Sequence, residues 1–144
     1  MKFNSRKDPL FQLVTFGVCI TLCVVVVNRI TSETPLFSAF VLGDILSVLV
    51  VAFLLWIYFD TSYELTATSL KYKSGPLRGS IAIDDIREVI KGKTLWSGIK
   101  PATARKGLII KYKGFQEIYI SPRTNDTLVE KLLELNKDIK ITIP

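Results

Sequence analysis

Histidine is absent from the 144 residues, and only two cysteines occur. The first absence removes the commonest general base and the commonest metal ligand. Cys19 and Cys23 both lie inside an apolar run, so the polar remainder has no disulfide framework. A phosphate-cradling glycine loop, an HExxH helix and a cysteine cluster are also missing. Asp84 and Asp85 are adjacent carboxylates, but neighbouring strand residues point to opposite faces, and aspartate is common in turns. No catalytic, cofactor-binding or metal-ligating set is therefore expected, and a binding or scaffolding role is favoured over an enzyme.

Charge is also scarce at the front of the chain. Leu10 to Val27 carries none, and Ala39 to Phe59 carries only Asp44. As helices, runs of roughly 18 and 21 residues reach about 27 and 31 Å, enough for the hydrocarbon core of a bilayer. The β-branched residues of the first run weaken a helix in water, but lipid obliges the backbone to bond within its own segment. Lys2, Arg6 and Lys7 would suit a cleaved signal peptide. The apolar stretch is too long for that, and Val27-Asn28-Arg29-Ile30 has no small-x-small cleavage site, so a retained anchor is expected. Trp56, Tyr58 and Phe59 suit the headgroup level.

Basic residues set the expected orientation. Lys2, Arg6 and Lys7 face a single Asp8 before the first run, and the connection Asn28 to Ser38 holds only Arg29 and Glu33. From Asp60 onward there are fifteen Lys and Arg against ten Asp and Glu. The positive-inside rule then puts both termini in the cytoplasm and the connection outside. The expected organisation is a basic terminus (1–9), two spans (10–27 and 39–59) and a cytoplasmic domain (60–144). Asp44 reads as a wet residue near the outer interface; its functional reading is an ion relay or a polar contact between copies. Cys19 and Cys23, four residues apart, share a helix face and read as packing.

The last 85 or so residues make one small domain, of strands and then a helix. Tyr63–Thr66 and Leu70–Lys73 are short β-prone runs, and Ser74-Gly75-Pro76 is a turn. Leu77, Gly79, Ile81 and Ile83 alternate with smaller or polar residues, as in a half-buried strand, until Asp84 and Asp85 interrupt. Ile86 to Ile90 is a further short strand. Lys91 to Lys106 is a poorly patterned loop with room for one strand. Leu108, Ile110 and Tyr112 pair with Ile118 and Ile120 across the Lys113-Gly114 turn. Thr124 or Asn125 can cap the helix that follows. Leu128, Leu132 and Leu135, widened by Val129 and Leu133, form its apolar stripe. Ile139, Ile141 and Ile143 alternate as a short final strand.

These segments, in this order, resemble bacterial PH-like domain proteins of the YyaB-like type. The resemblance rests on Lys2 to Asp8, on Tyr63-Glu64-Leu65, and on Leu70 to Arg78 running into Ile81 to Ile86. It continues through Leu108 to Tyr112, Ile118 to Pro122 and the closing helix. It implies an α+β chain, with a two-helix transmembrane hairpin ahead of a PH-like bent antiparallel sheet and a C-terminal capping helix. It also implies an alternative function, because the sublancin immunity protein looks like a relative: bacteriocin immunity at the cytoplasmic membrane. The fold alone does not fix the function.

The formal net charge of +6 permits contact with the anionic inner leaflet, where each nearby cation contributes about 1 kcal/mol. Lys71, Lys73, Lys111 and Lys113 are the candidate membrane-facing residues; otherwise they are ordinary solvated lysines. The first hairpin loop, Ala67-Thr68-Ser69, carries no cation, which argues against an inositol-phosphate site like that of eukaryotic PH domains. Trp96 reads first as a core anchor and otherwise as an aromatic at the membrane interface or a partner. No nucleic acid is expected, because no aromatic-basic platform accompanies the charge. The expected partners are the bilayer and an anionic lipid or membrane protein, with the oligomeric state left open.

Overall fold

The computed structural model describes residues 1–32 and 41–144. Two long helices come first, α1 (Pro9–Thr31) and α2 (Val41–Asp60). Asp8 caps α1 by accepting the Leu10 amide at 3.3 Å, and Pro9 follows at a position where its missing N–H costs nothing. Within the helices, Thr21 and Ser47 donate their hydroxyls to the carbonyls four residues back, each at 2.8 Å, so neither needs water. Both helices are long and apolar enough to cross a membrane. Neither is the core helix of a globule: only Thr15 and Cys19 in α1 and Tyr58 in α2 are buried.

The described helices depart from the expected limits in one informative way. α1 continues a full turn past Val27, to Thr31, where Ser32 caps it by donating to the Asn28 and Arg29 carbonyls, and Arg29 in that turn donates to Asp44 at 3.0 Å from the start of α2. Asp44 thus has a cationic partner within its own chain, at the end of the helices remote from the domain. Residues 33–40, including Ala39 at the expected start of the second span, lie outside the described residues.

The domain consists of two four-stranded sheets. The first has the order β1-β2-β3-β4, from Lys2–Asn4, Ser62–Leu65, Ser69–Ser74 and Leu77–Ala82, all antiparallel. One turn of 3-10 helix at Ile83–Asp85 leads into the second. Its order is β7-β6-β5-β8, where β5 is Ile86–Lys91, β6 Leu108–Tyr112, β7 Gln116–Ile120 and β8 Lys140–Thr142. Alternation supplies one core from both: Tyr63, Leu70 and Ile81 meet Val89, Leu108, Ile110, Ile118 and Ile120. Helix α3 (Asn125–Leu135) closes it with Leu128 and Leu132, both fully buried.

Four details differ from the sequence reading. β8 runs parallel to β5, so the second sheet is mixed rather than wholly antiparallel; α3 carries the chain back along the sheet and delivers β8 in that direction. Thr124 is the N-cap by position, but its side chain makes no cap bond, and Asn125 donates to the Lys106 carbonyl instead. The stripe stops short of Leu135, which is 43% exposed. The fourth detail is the largest. The amino-terminal segment is not only a basic flank, because Lys2–Asn4 forms β1 and buries Phe3 against the core.

Leu132→Asp should lower the melting temperature by more than about 10 °C, since an ionised carboxylate would stand among fully buried apolar groups. Leu135→Asp should change it by only a few degrees. Phe3→Ala should cost about 3 kcal/mol, measured by unfolding of the full chain in detergent. An unaffected Phe3→Ala protein would mean that β1 is not part of the cooperative unit.

Candidate functional site

The segment that leaves β1 for α1 is fixed by buried hydroxyls. Ser5 Oγ lies 2.8 Å from Thr103 Oγ1, 3.0 Å from Ser121 Oγ and 3.2 Å from the Tyr63 hydroxyl. Tyr63 donates to the Pro101 carbonyl at 2.6 Å and accepts the Ser121 amide at 3.0 Å. Burial pushes the Tyr63 hydroxyl above its ordinary range, with hydrogen bonds from Ser5 and Ser121 opposing the shift. It therefore stays neutral and able to donate. Small side chains meet here because backbone from four places in the chain converges.

Around this knot the main chain continues the joint. The Arg6 amide donates to the Ser121 carbonyl at 2.7 Å, and the Asp8 amide to the Thr103 carbonyl at 3.2 Å. The long loop between β5 and β6 is therefore ordered where it meets the amino terminus. It also covers an edge of the second sheet: Tyr119 donates its amide to the Ile99 carbonyl at 3.0 Å, and its hydroxyl to Ala104 at 2.8 Å. Gly107 must be glycine, because a Cβ there would collide with the Ile120 carbonyl oxygen.

Loop and terminus together enclose a cleft of about 590 Å³ beside the first turn of α1. Arg6, Lys7, Arg105 and Lys106 line it, with Asp8 as its one carboxylate and Trp96 and Thr94 on its wall. Arg6 Nη2 donates to the carbonyls of Arg105 at 2.5 Å and Lys106 at 3.1 Å, which fixes its guanidinium. Arg105 Nε donates to Asp8 Oδ2 at 2.7 Å. That bond holds the Asp8 carboxyl below its usual range, against a smaller opposing effect of burial. Lys7 Nζ sits 4.1 Å from the Tyr58 ring centre and 4.9 Å from that of Phe59, a cation held over two aromatic faces. Four cations against one carboxylate make this an anion-accepting surface. Among the described residues no three Cys, Asp or Glu side chains gather to hold a metal ion.

The four lysines singled out from sequence are not brought together. Lys71 and Lys73 stand on β3, in the first sheet, where Lys73 contacts Asp60 at 2.5 Å. Lys111 belongs to β6 and contacts Glu88 at 2.9 Å; Lys113, in the β6–β7 turn, lies 3.8 Å from Asp85. That turn is at the far end of β6 from the cleft, some five residues or roughly 16 Å away. Trp96 is not a core anchor: it is 88% exposed. Pro101, Thr103 and Ala104 do the anchoring of its loop, and their small side chains gave no sequence signal. The cleft itself was missed, although the basic pairs Arg6-Lys7 and Arg105-Lys106 were visible as pairs.

Two carboxylates tie stability to acid pH. Glu88 accepts from Thr142 at 2.5 Å and from Lys111, and these bonds, Thr142 first, lower its carboxyl below the usual range. Like Asp8, it is lowered in the folded state, so its stabilising effect is full above the ordinary carboxylate range near pH 4 and fades as pH falls through the lowered value. Melting temperature should therefore fall on acidification from pH 5 to pH 2. The Asp8→Asn, Glu88→Gln double variant should show a flatter acid limb; an identical limb would place the acid sensitivity elsewhere.

A family model described as Bacterial PH domain matches residues 61–136, just over half of the chain. Uncharacterized protein YyaB of Bacillus subtilis (strain 168) is 26% identical over 145 residues, covering 98% of this chain and 97% of that protein. No solved structure matches. The matched stretch runs from the start of β2 to the end of α3, the two sheets and the capping helix described above, and the chain belongs to the bacterial PH domain family.

Proposed function

We propose that this protein is a two-pass component of the cytoplasmic membrane whose PH-like domain is a non-catalytic binding module held against the inner leaflet. The observation that carries this reading is the pairing of β1 with β2. One strand precedes α1 and the other follows α2, so the two outer ends of the hairpin share one sheet. If the helices span, both must emerge on the same side. The linker is a single residue, Thr61, between Asp60 and Ser62, which keeps the domain at the surface. The excess of Lys and Arg on that side supports the cytoplasm. Four cations around a carboxylate that Arg105 already engages support binding rather than chemistry. Bacteriocin immunity, the alternative implied by the resemblance, gains no support from this geometry.

A reporter fused after Pro144 should report cytoplasm, and a cysteine at Ser32, beyond the Arg29–Asp44 pair, should react with an impermeant thiol reagent added outside. Cys19 and Cys23 should be replaced by Ser in that variant. Labelling of Ser32→Cys only after the cells are permeabilised would overturn the orientation.

A further inference from the structure

We propose that the cleft between the amino-terminal segment and the β5–β6 loop binds one anionic phospholipid, its headgroup on the cations and one acyl chain along the start of α1. The inference rests on the membrane reading above but not on which side of the membrane the domain faces.

The polar cleft does not end blindly. A second cavity of about 300 Å³ shares Asp8, Thr94, Trp96 and Arg105 with it and continues over Leu10, Phe11 and Val14. Its lining is mostly apolar, whereas the first cleft gathers Arg6, Lys7, Arg105 and Lys106. A polar compartment opening into an apolar one, along a helix that enters lipid, has the amphipathic shape of a phospholipid. A free phosphate would use only the first half. With Asp8 engaged by Arg105, the four cations leave a local surplus of three positive charges for a headgroup. The Arg6 fork is already oriented by two carbonyls, and a guanidinium has five N–H donors, so donors remain for phosphate oxygens.

The level is also right. Lys7 lies over Tyr58 and Phe59, in the last turn of α2, and Pro9 opens α1. The cleft thus occupies the height at which both helices meet the domain, where headgroups stand. Trp96, exposed on the wall common to both cavities, presents an amphipathic ring at that height. Its exposure has no use in the core and suits contact with lipid. Three of the four lysines expected to face the membrane already have carboxylate partners within 4 Å; Lys7 and Lys106 have none among the described residues.

The test uses the full chain in neutral detergent, titrated with short-chain phosphatidylglycerol, short-chain phosphatidylcholine and inorganic phosphate, with binding read by tryptophan fluorescence and thermal shift. Phosphatidylglycerol should bind saturably, and binding should weaken with salt. Lys7→Gln with Lys106→Gln should weaken it about tenfold, whereas Lys71→Gln with Lys113→Gln, the same change of charge elsewhere, should leave it within about twofold. Trp96→Phe should remove most of the fluorescence response and leave the thermal shift. Equal loss in both lysine pairs would overturn the site in favour of diffuse attraction. Equal binding of phosphatidylcholine would show that headgroup charge is not read, and an equal response to phosphate would reduce the site to a simple anion cleft. Either result would overturn the lipid assignment. Detergent exposes the cleft whichever way the hairpin inserts, so a wrong topology would appear only in the Ser32 labelling.

Discussion

The antiparallel register of β1 on β2 is the constraint from which the rest of the molecule follows. Phe3 opposite Tyr63 brings the chain before the helices to lie beside the chain after them. Closing a hairpin of more than fifty residues carries an entropic cost that rises only slowly with length. The sheet hydrogen bonds, the burial of Phe3 and the hydroxyl knot at Ser5 offset it. Once the two strands are neighbours, the helices must leave side by side, and the Arg29–Asp44 pair at the other end sets their relative height. The cleft is a by-product of the same closure. Its walls are the strand exit and the loop that the knot holds down.

Much of the fold is written in local patterns. The strand through Ile81, the breaking aspartates at 84 and 85, the Lys113-Gly114 turn and the Leu128–Leu132 spacing each reflect burial within a few residues, and each formed the expected element, although the strand stops at Ala82 and Ile83 opens the 3-10 turn. What escaped was decided by distant partners. β1 is three residues with one buried side chain, too little for any period to register. Leu135 has the right spacing, but it is the last residue of α3 and stays 43% exposed. Parallel pairing of β8 depends on where α3 delivers the chain, and alternation of Ile139, Ile141 and Ile143 carries no information on strand direction.

The site was the least legible part, for the same reason. Arg6 donates to carbonyls 99 and 100 residues away. No pattern in either segment announces the other, and each basic pair alone looks like ordinary solvated charge. Lysines on a strand, by contrast, look like a face because they alternate, and Lys71 and Lys73 do share one. In the folded domain, though, Lys73 sits beside Asp60 at the end of α2, Lys111 beside Glu88 on the neighbouring strand and Lys113 beside Asp85 in the 3-10 turn. A tryptophan is usually worth burying, yet the loop of Trp96 is pinned by hydroxyls and small residues. That leaves its one large side chain outside.

The joint at Thr61 is stiff. Its hydroxyl bonds the Ile57 carbonyl at 2.6 Å and Ser74 Oγ at 2.8 Å, while the β3–β4 turn rests on α2 so closely that a Cβ at Gly75 would come within 2.9 Å of Ile57. On the other side, Lys7 spans from the strand exit to the rings of Tyr58 and Phe59. The domain is thus seated directly on the ends of the two helices. If the helix pair spans a bilayer and leans as that bilayer thins, keeping its apolar length covered, the two sheets must lean with it, like the head of a lever whose shaft is the hairpin. Membrane thickness would thereby become an angle at which the domain stands on the bilayer surface.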